Sequence, residues 1–176
     1  MKLTLASGSP RRAKILRDHG VDFTVLKTDA PEVSYPGDPE RTVRENALAK
    51  LGSLPDALAA DTIVWCDGKI YGKPRDLDEA KTFLKELSGK THQVFTGVAY
   101  RRGEGEAQVR VETSDVTFRE LDERAIDEYV ALVKPTDRAG AYDIDDYGMV
   151  VVESFAGEYE NIMGLPLRPL AEFGLI

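Results

Sequence analysis

Four stretches of this sequence combine residue types and spacings that could act on a phosphate or on water. The first is Ser7-Gly8-Ser9-Pro10-Arg11-Arg12, between a strand-like run and the start of a helical pattern. A helix N-terminus offers free backbone N–H groups and a partial positive charge. Ser7, Ser9, Arg11 and Arg12 add hydroxyls and guanidinium forks suited to phosphate oxygens. This is an anion cradle without the spacing or the Lys-Ser/Thr pair of a Walker loop. The plain alternative is a capped helix with solvated arginines. The second is Asp61 in Ala59-Ala60-Asp61-Thr62-Ile63-Val64-Trp65. A carboxylate in an apolar strand is costly unless paired or used, so Asp61 is expected at a strand end facing a cleft. There it could be a general base or a metal ligand, or else cap the next turn. The third is Gly72-Lys73-Pro74, where Lys73 becomes a fixed point charge. Lys50 stands near Glu45-Asn46 on a helix whose default is a solvated face. Glu32 lies in a proline-rich loop, where an exposed acid is the plain alternative.

The fourth stretch is Arg138 to Asp146, followed by Gly157 to Pro166. Asp143, Asp145 and Asp146 hint at a calcium loop, but the glycine and glutamate positions of an EF-hand are missing. Asn161 precedes a turn and reads as structural on its own. His19 and His92 do not form a metal pair by spacing. No nucleophile elbow supports Ser-His-Asp catalysis, and Cys66 reads as an inert, buried thiol.

The elements that must position these groups alternate between strand and helix, which points to α/β. Strands are expected at Leu3–Ala6, Asp22–Leu26, Leu58–Trp65, Lys69–Tyr71, Val94–Tyr100, Val109–Phe118 and Met149–Phe155. Helices are expected from Ser9-Pro10 to His19, over Pro39–Leu51, Leu77–Leu87 and Ala125–Val133, and over Pro166–Phe173. Asp67-Gly68 reads as a tight turn. Paired strands around a Gly-rich turn imply a mixed twisted sheet with flanking helices.

Composition bounds the rest. The 176 residues suit one domain spanning 1–176. A chain of this size buries about 70% of its unfolded surface. Acids outnumber bases 31 to 23, for a net charge of −8, which disfavours a general nucleic-acid partner. A single cysteine excludes an internal disulfide framework. No apolar run reaches the roughly 20 residues of a membrane span, and no signal-peptide core is present. A cytoplasmic protein with no nucleic-acid or membrane partner is expected.

Read together, several segments resemble the Maf family of nucleoside triphosphate pyrophosphatases. They are Leu5 to Arg12, Glu45 to Lys50, Ala60-Asp61-Thr62, Gly72-Lys73-Pro74, Leu87-Ser88-Gly89 with His92 and Thr96-Gly97-Val98, Ala139 to Tyr142, and Asn161 to Pro166. They occur in the family's order and cover nearly the whole chain. The resemblance implies an α/β fold related to the inosine triphosphate pyrophosphatase class, in a homodimer. It implies hydrolysis of a nucleoside triphosphate to monophosphate and pyrophosphate with a divalent cation, Mg²⁺ or Mn²⁺. It also implies a role in cleaning nucleotide pools or in cell division. By position, Asp61 corresponds to the proton acceptor. Arg11, Arg12, Lys50 and Lys73 correspond to phosphate-contacting bases, with Ser7 beside them. Glu32 matches the loop acid, so Asp61 and Glu32 are the implied metal ligands. Ser9, Thr62, Asp145 and Asn161 complete the implied substrate-binding set.

Thr62 and Arg11 keep the form of the branch acting on dTTP and UTP. The chain departs from that branch at Asp145 and Asp146, where Gln and Gly are usual, and at Glu158, where a small residue follows Gly157. Ionised Asp only accepts hydrogen bonds, whereas Gln also donates. The alternatives are the branch acting on 7-methyl-GTP, CTP and UTP, and a non-catalytic nucleotide-binding regulator of cell division.

Overall fold

A computed structural model describes residues 2–176; the first residue of the expected 1–176 domain lies outside the described residues. The order is β1 (Leu3–Leu5), α1 (Pro10–Asp18), β2 (Phe23–Val25), α2 (Pro39–Leu51), β3 (Ala57–Cys66), β4 (Lys69–Tyr71) and α3 (Leu77–Leu87). Then come β5 (Thr91–Arg101), β6 (Gln108–Phe118), α4 (Glu123–Val133), a 3₁₀ turn (Ala139–Ala141), α5 (Gly148–Val151), β7 (Val152–Ala156), α6 (Tyr159–Met163) and α7 (Leu167–Glu172). Four helices start on the residue the chain supplies for it. Ser9, Asp38, Asp76 and Asp122 each accept a hydrogen bond from the backbone N–H three residues on. Pro10 and Pro39 follow two of these caps, where a missing N–H costs nothing. Lys134, in the left-handed region, ends α4 just before Pro135.

Among the described residues seven strands form one mixed sheet in the order β2-β1-β3-β5-β6-β7, with β4 also on β3. β1 pairs in parallel with β2 and β3, and the remaining pairs are antiparallel. The pairing leaves a gap that matters for function. β1 pairs with Ala57 and Leu58 only, and β4 pairs with Val64 to Cys66. Among the described residues, no strand covers that edge of β3 from Ala59 to Ile63. Below the gap the chain leaves β1 as Ser7-Gly8-Ser9; above it the chain leaves β4 as Gly72-Lys73.

Alternate residues of β3 enter two cores. Leu58, Ala60 and Val64 join the larger one, with Leu5, Leu16, Leu84 and Phe118. Ala57 and Ala59 join a smaller one under α2, with Ala47, Leu51 and Ala99. Small side chains bring α2 close to the sheet, and Gly97 brings it closest. A Cβ there would lie 2.4 Å from the Val43 carbonyl oxygen.

Two expectations are corrected. Met149–Phe155 is not one strand: Gly148–Val151 forms a helical turn, and the strand begins at Val152. The apolar run Met149 to Val152 has no alternation to fix its period. Asp61 is not at a strand end. It sits mid-strand in β3 and reaches open space because the neighbouring edge is missing there.

Candidate active site

A cavity of about 780 Å³ opens at this gap. Its floor is β3, and its walls are the Ser7–Arg12 segment, α2, the loop over 27–34 and the turn after β4. Consecutive residues of a strand point to opposite faces, so Asp61 and Thr62 address different neighbours. Asp61 faces α2: its Oδ1 accepts from Lys50 Nζ at 2.8 Å and its Oδ2 from Asn46 Nδ2 at 3.1 Å. It is 6% exposed. Lys50 Nζ also lies 3.4 Å from Glu32, which reaches in from the loop.

Thr62 faces α1. Its hydroxyl accepts from Arg12 Nη2 at 3.1 Å. Arg12 also donates Nη1 to Ser7 Oγ at 3.2 Å and Nε to the Gly164 carbonyl at 2.7 Å. All three acceptors are neutral, so among the described residues no carboxylate balances this guanidinium in contact. Burial lowers its pKa to about 10, although Asp61 nearby works the other way. The group therefore remains a cation at neutral pH. Burial also lowers Arg11, with the Arg138 charge adding to the effect. Arg11 Nη1 is buried with no hydrogen-bond partner among the described residues. Lys73 stands at the solvent-open side of the cavity; desolvation lowers its pKa, and Arg12 and Lys50 lower it further. Six cationic side chains line the cavity against five carboxylates, a local surplus in a chain of net charge −8. Such a pocket suits a compact polyanion.

Nine of the expected residues, Ser7, Ser9, Arg11, Arg12, Glu32, Lys50, Asp61, Thr62 and Lys73, line this one cavity. Two others do not. Asp145 is exposed and accepts from the Tyr159 hydroxyl at 3.0 Å. Asn161 is fully buried, donating to Val94 O at 3.1 Å and Ser114 Oγ at 2.9 Å, and so ties α6 to the sheet. Glu158 serves the fold, since its carboxylate accepts from the backbone N–H groups of Leu167 and Arg168 at the start of α7.

Asn46 and Arg138 appear in the motifs above without a role at the site. Asn46 lies four residues before Lys50, hence on the same helix face, and that spacing was the available signal. Arg138 Nε donates to the buried Asp143 carboxylate at 2.8 Å, and Nη1 pairs with Asp137. Asp143 is thereby committed to an arginine. Among the described residues no group of three or more His, Cys, Asp or Glu side chains could form a metal cage. Asp61 and Glu32 do supply two hard oxygen donors flanking Lys50. Two such donors match the one or two carboxylates that usually hold a Mg²⁺-like ion together with substrate phosphates, here with the Lys50 ammonium in contact with both.

The family model for Maf-like proteins matches residues 2–173. A dTTP/UTP pyrophosphatase of Thermotoga maritima is 43% identical over 175 residues, covering 95% of this chain and 85% of that protein. One from Chromobacterium violaceum is 41% identical, covering 98% and 95%. Another, from Bacteroides thetaiotaomicron, is 41% identical, covering 96% and 92%. Among solved structures, the Staphylococcus aureus Ham1 protein superposes with a TM-score of 0.57 at 14% identity, over 98% of this chain and 97% of that one. That likeness is one of fold.

Proposed function

This chain belongs to the Maf-like protein family, and on that footing we propose that it hydrolyses a nucleoside triphosphate to the monophosphate and pyrophosphate. One observation carries the proposal: a buried carboxylate, Asp61, opens through a gap in the sheet onto a cavity lined by Arg11, Arg12, Lys50 and Lys73. Each Asp61 oxygen accepts one hydrogen bond. A carboxylate has about four lone-pair sites in all, so room is left to take a proton. In the proposed step a water oxygen bonds to the α-phosphorus and the bond from that phosphorus to the bridging oxygen breaks. Asp61 takes the proton, and pyrophosphate leaves with the electron pair. Arg12, Arg11 and Lys73 hold the phosphate oxygens, where fixed charges aimed at developing negative charge lower the barrier. Asp61 and Glu32 would hold a divalent cation, Mg²⁺ or Mn²⁺. Such an ion, when bound, neutralises phosphate charge and polarises the phosphoryl group.

We propose dTTP and UTP as the preferred substrates. The forms of Thr62 and Arg11 and the names of the relatives support this choice. Asp145 lies outside the cavity lining. A homodimer is proposed as well. It draws support from exposed Tyr147, Met149, Val150 and Phe155, which cluster in sequence around β7, an edge strand among the described residues.

The test is a panel of dTTP, UTP, CTP and 7-methyl-GTP with Mg²⁺, with pyrophosphate and orthophosphate measured separately. Pyrophosphate release fastest from dTTP and UTP is expected. Faster cleavage of 7-methyl-GTP or CTP would overturn the base preference. Nucleotide binding without turnover would overturn the enzymatic reading.

A further inference from the structure

Asn46 ties the loop backbone at Val33 to the Asp61 carboxylate, beside the bridge that the Lys50 ammonium makes between Glu32 and Asp61. It is 3% exposed and sits on α2 one turn before Lys50. Its Oδ1 accepts from the Val33 backbone N–H at 2.9 Å, and its Nδ2 donates to the Val33 carbonyl at 3.0 Å. The same Nδ2 donates to Asp61 Oδ2 at 3.1 Å. A side-chain amide has two N–H donors, and both are used. The paired bonds to Val33 also fix which end of the amide is oxygen. A flipped amide would place donor against donor and acceptor against acceptor at Val33. The loop backbone therefore sets the amide so that its remaining N–H meets Asp61. Glu32 is the residue before Val33, so a single planar group ties the loop acid's backbone to the β3 carboxylate. Gly97 allows the close seat of α2 that brings Asn46 within reach.

We propose that Asn46 is a positioning residue that couples placement of the 27–38 loop to the orientation of the Asp61 carboxylate. The inference rests on the reading of Asp61 as the proton acceptor. A residue that only anchored the loop would need its bonds to Val33 and nothing more.

Substitution separates the two roles. Asn46→Asp keeps an acceptor for the Val33 N–H and replaces the nitrogen that donates to Asp61 and to the Val33 carbonyl with an oxygen. With dTTP and Mg²⁺, kcat should fall roughly 10- to 100-fold with KM within about threefold, since small misplacements of reacting groups cost up to ~10². The Val33 amide should keep its protection from hydrogen exchange. Asn46→Ala should lose both, with a similar fall in kcat and Val33 exchange faster by about tenfold or more. It carries the test if Asn46→Asp fails to fold. Trp65→Phe serves as the control. It removes the indole bond to the Pro36 carbonyl further along the loop while leaving the Asn46 bonds to Val33 and Asp61 in place, so kcat should stay within about twofold and Val33 keep its protection while amides around Pro36 exchange faster. A kcat within about twofold of the parent in Asn46→Asp, or in Asn46→Ala where that variant is the one that folds, would reduce Asn46 to a loop anchor. The coupling is also read without turnover. Coupling is reciprocal, so Asp61→Ala should speed Val33 exchange by a few-fold. Unchanged exchange would overturn the coupling even if Asp61 proves essential for catalysis. Retained turnover in Asp61→Asn would overturn the catalytic reading instead.

Discussion

The Lys50 ammonium lies 2.8 Å from Oδ1 of Asp61, inside a cavity also lined by Arg11, Arg12 and Lys73. The pair joins α2 to β3, and both side chains are largely withdrawn from solvent. Its consequence is that the buried Asp61 carboxylate has a charged partner in contact, without which its burial would be costly. Lys50→Met should lower kcat by roughly 10²-fold, in the range seen when one preorganised charge partner is removed. Parallel measurement of kcat and KM checks this. A rise in KM alone would mean that Lys50 only binds substrate.

Gly97 faces Asp61 across the β3–β5 ladder, and a Cβ on it would press into the Val43 carbonyl of α2 at 2.4 Å. Backbone cannot yield as a flexible side chain does. Gly97→Ala should destabilise the chain by about 1–3 kcal/mol, or roughly 2–12 °C in Tm for this length. It should also lower activity, because α2 carries both Lys50 and Asn46. Thermal melts with turnover assays at a temperature below both transitions test it. An unchanged Tm would mean that α2 is not seated against β5 as described.

His92 is buried against Phe118 and Tyr142, with Nε2 2.8 Å from the Tyr142 hydroxyl. Burial pushes its pKa down to about 4. An unfolded chain takes up that proton near pH 6.5, so between pH 6.5 and 4 the unfolded state binds more protons. The contribution to stability is therefore complete above about pH 6.5 and is lost as pH falls toward 4, by about 3 kcal/mol in all. His92→Gln has no such titration. Its Tm should gain on that of the parent protein as pH drops from 7 to 4.5. Parallel Tm curves would contradict the buried neutral imidazole.

Much of this fold is legible in local chemistry. The helix over Pro39–Leu51 announces itself by Asp38, Pro39 and the residues that follow. The strand over Ala57–Cys66 does so by an apolar run ended at Asp67-Gly68. The cavity was legible as a set of residues, since nine expected side chains line it. Its cause was not. A sheet edge left open between two short strands depends on where β1 stops and β4 starts, which are matters of pairing. For the same reason Asp61 reads as a strand-end residue although it lies mid-strand. Asn46 was hidden because its acceptors come from a loop and a strand remote in sequence. The turn at Gly148–Val151 was hidden because four apolar residues carry no period of their own.

The proposed reaction turns on Asp61 taking the proton from the attacking water. Its direct test is Asp61→Asn, a change of one atom that preserves shape and removes basicity. A folded protein with Tm within a few degrees of the parent and with KM little changed is expected. Pyrophosphate release should fall by roughly 10²–10⁴-fold in kcat. Turnover equal to that of the unaltered protein would contradict it.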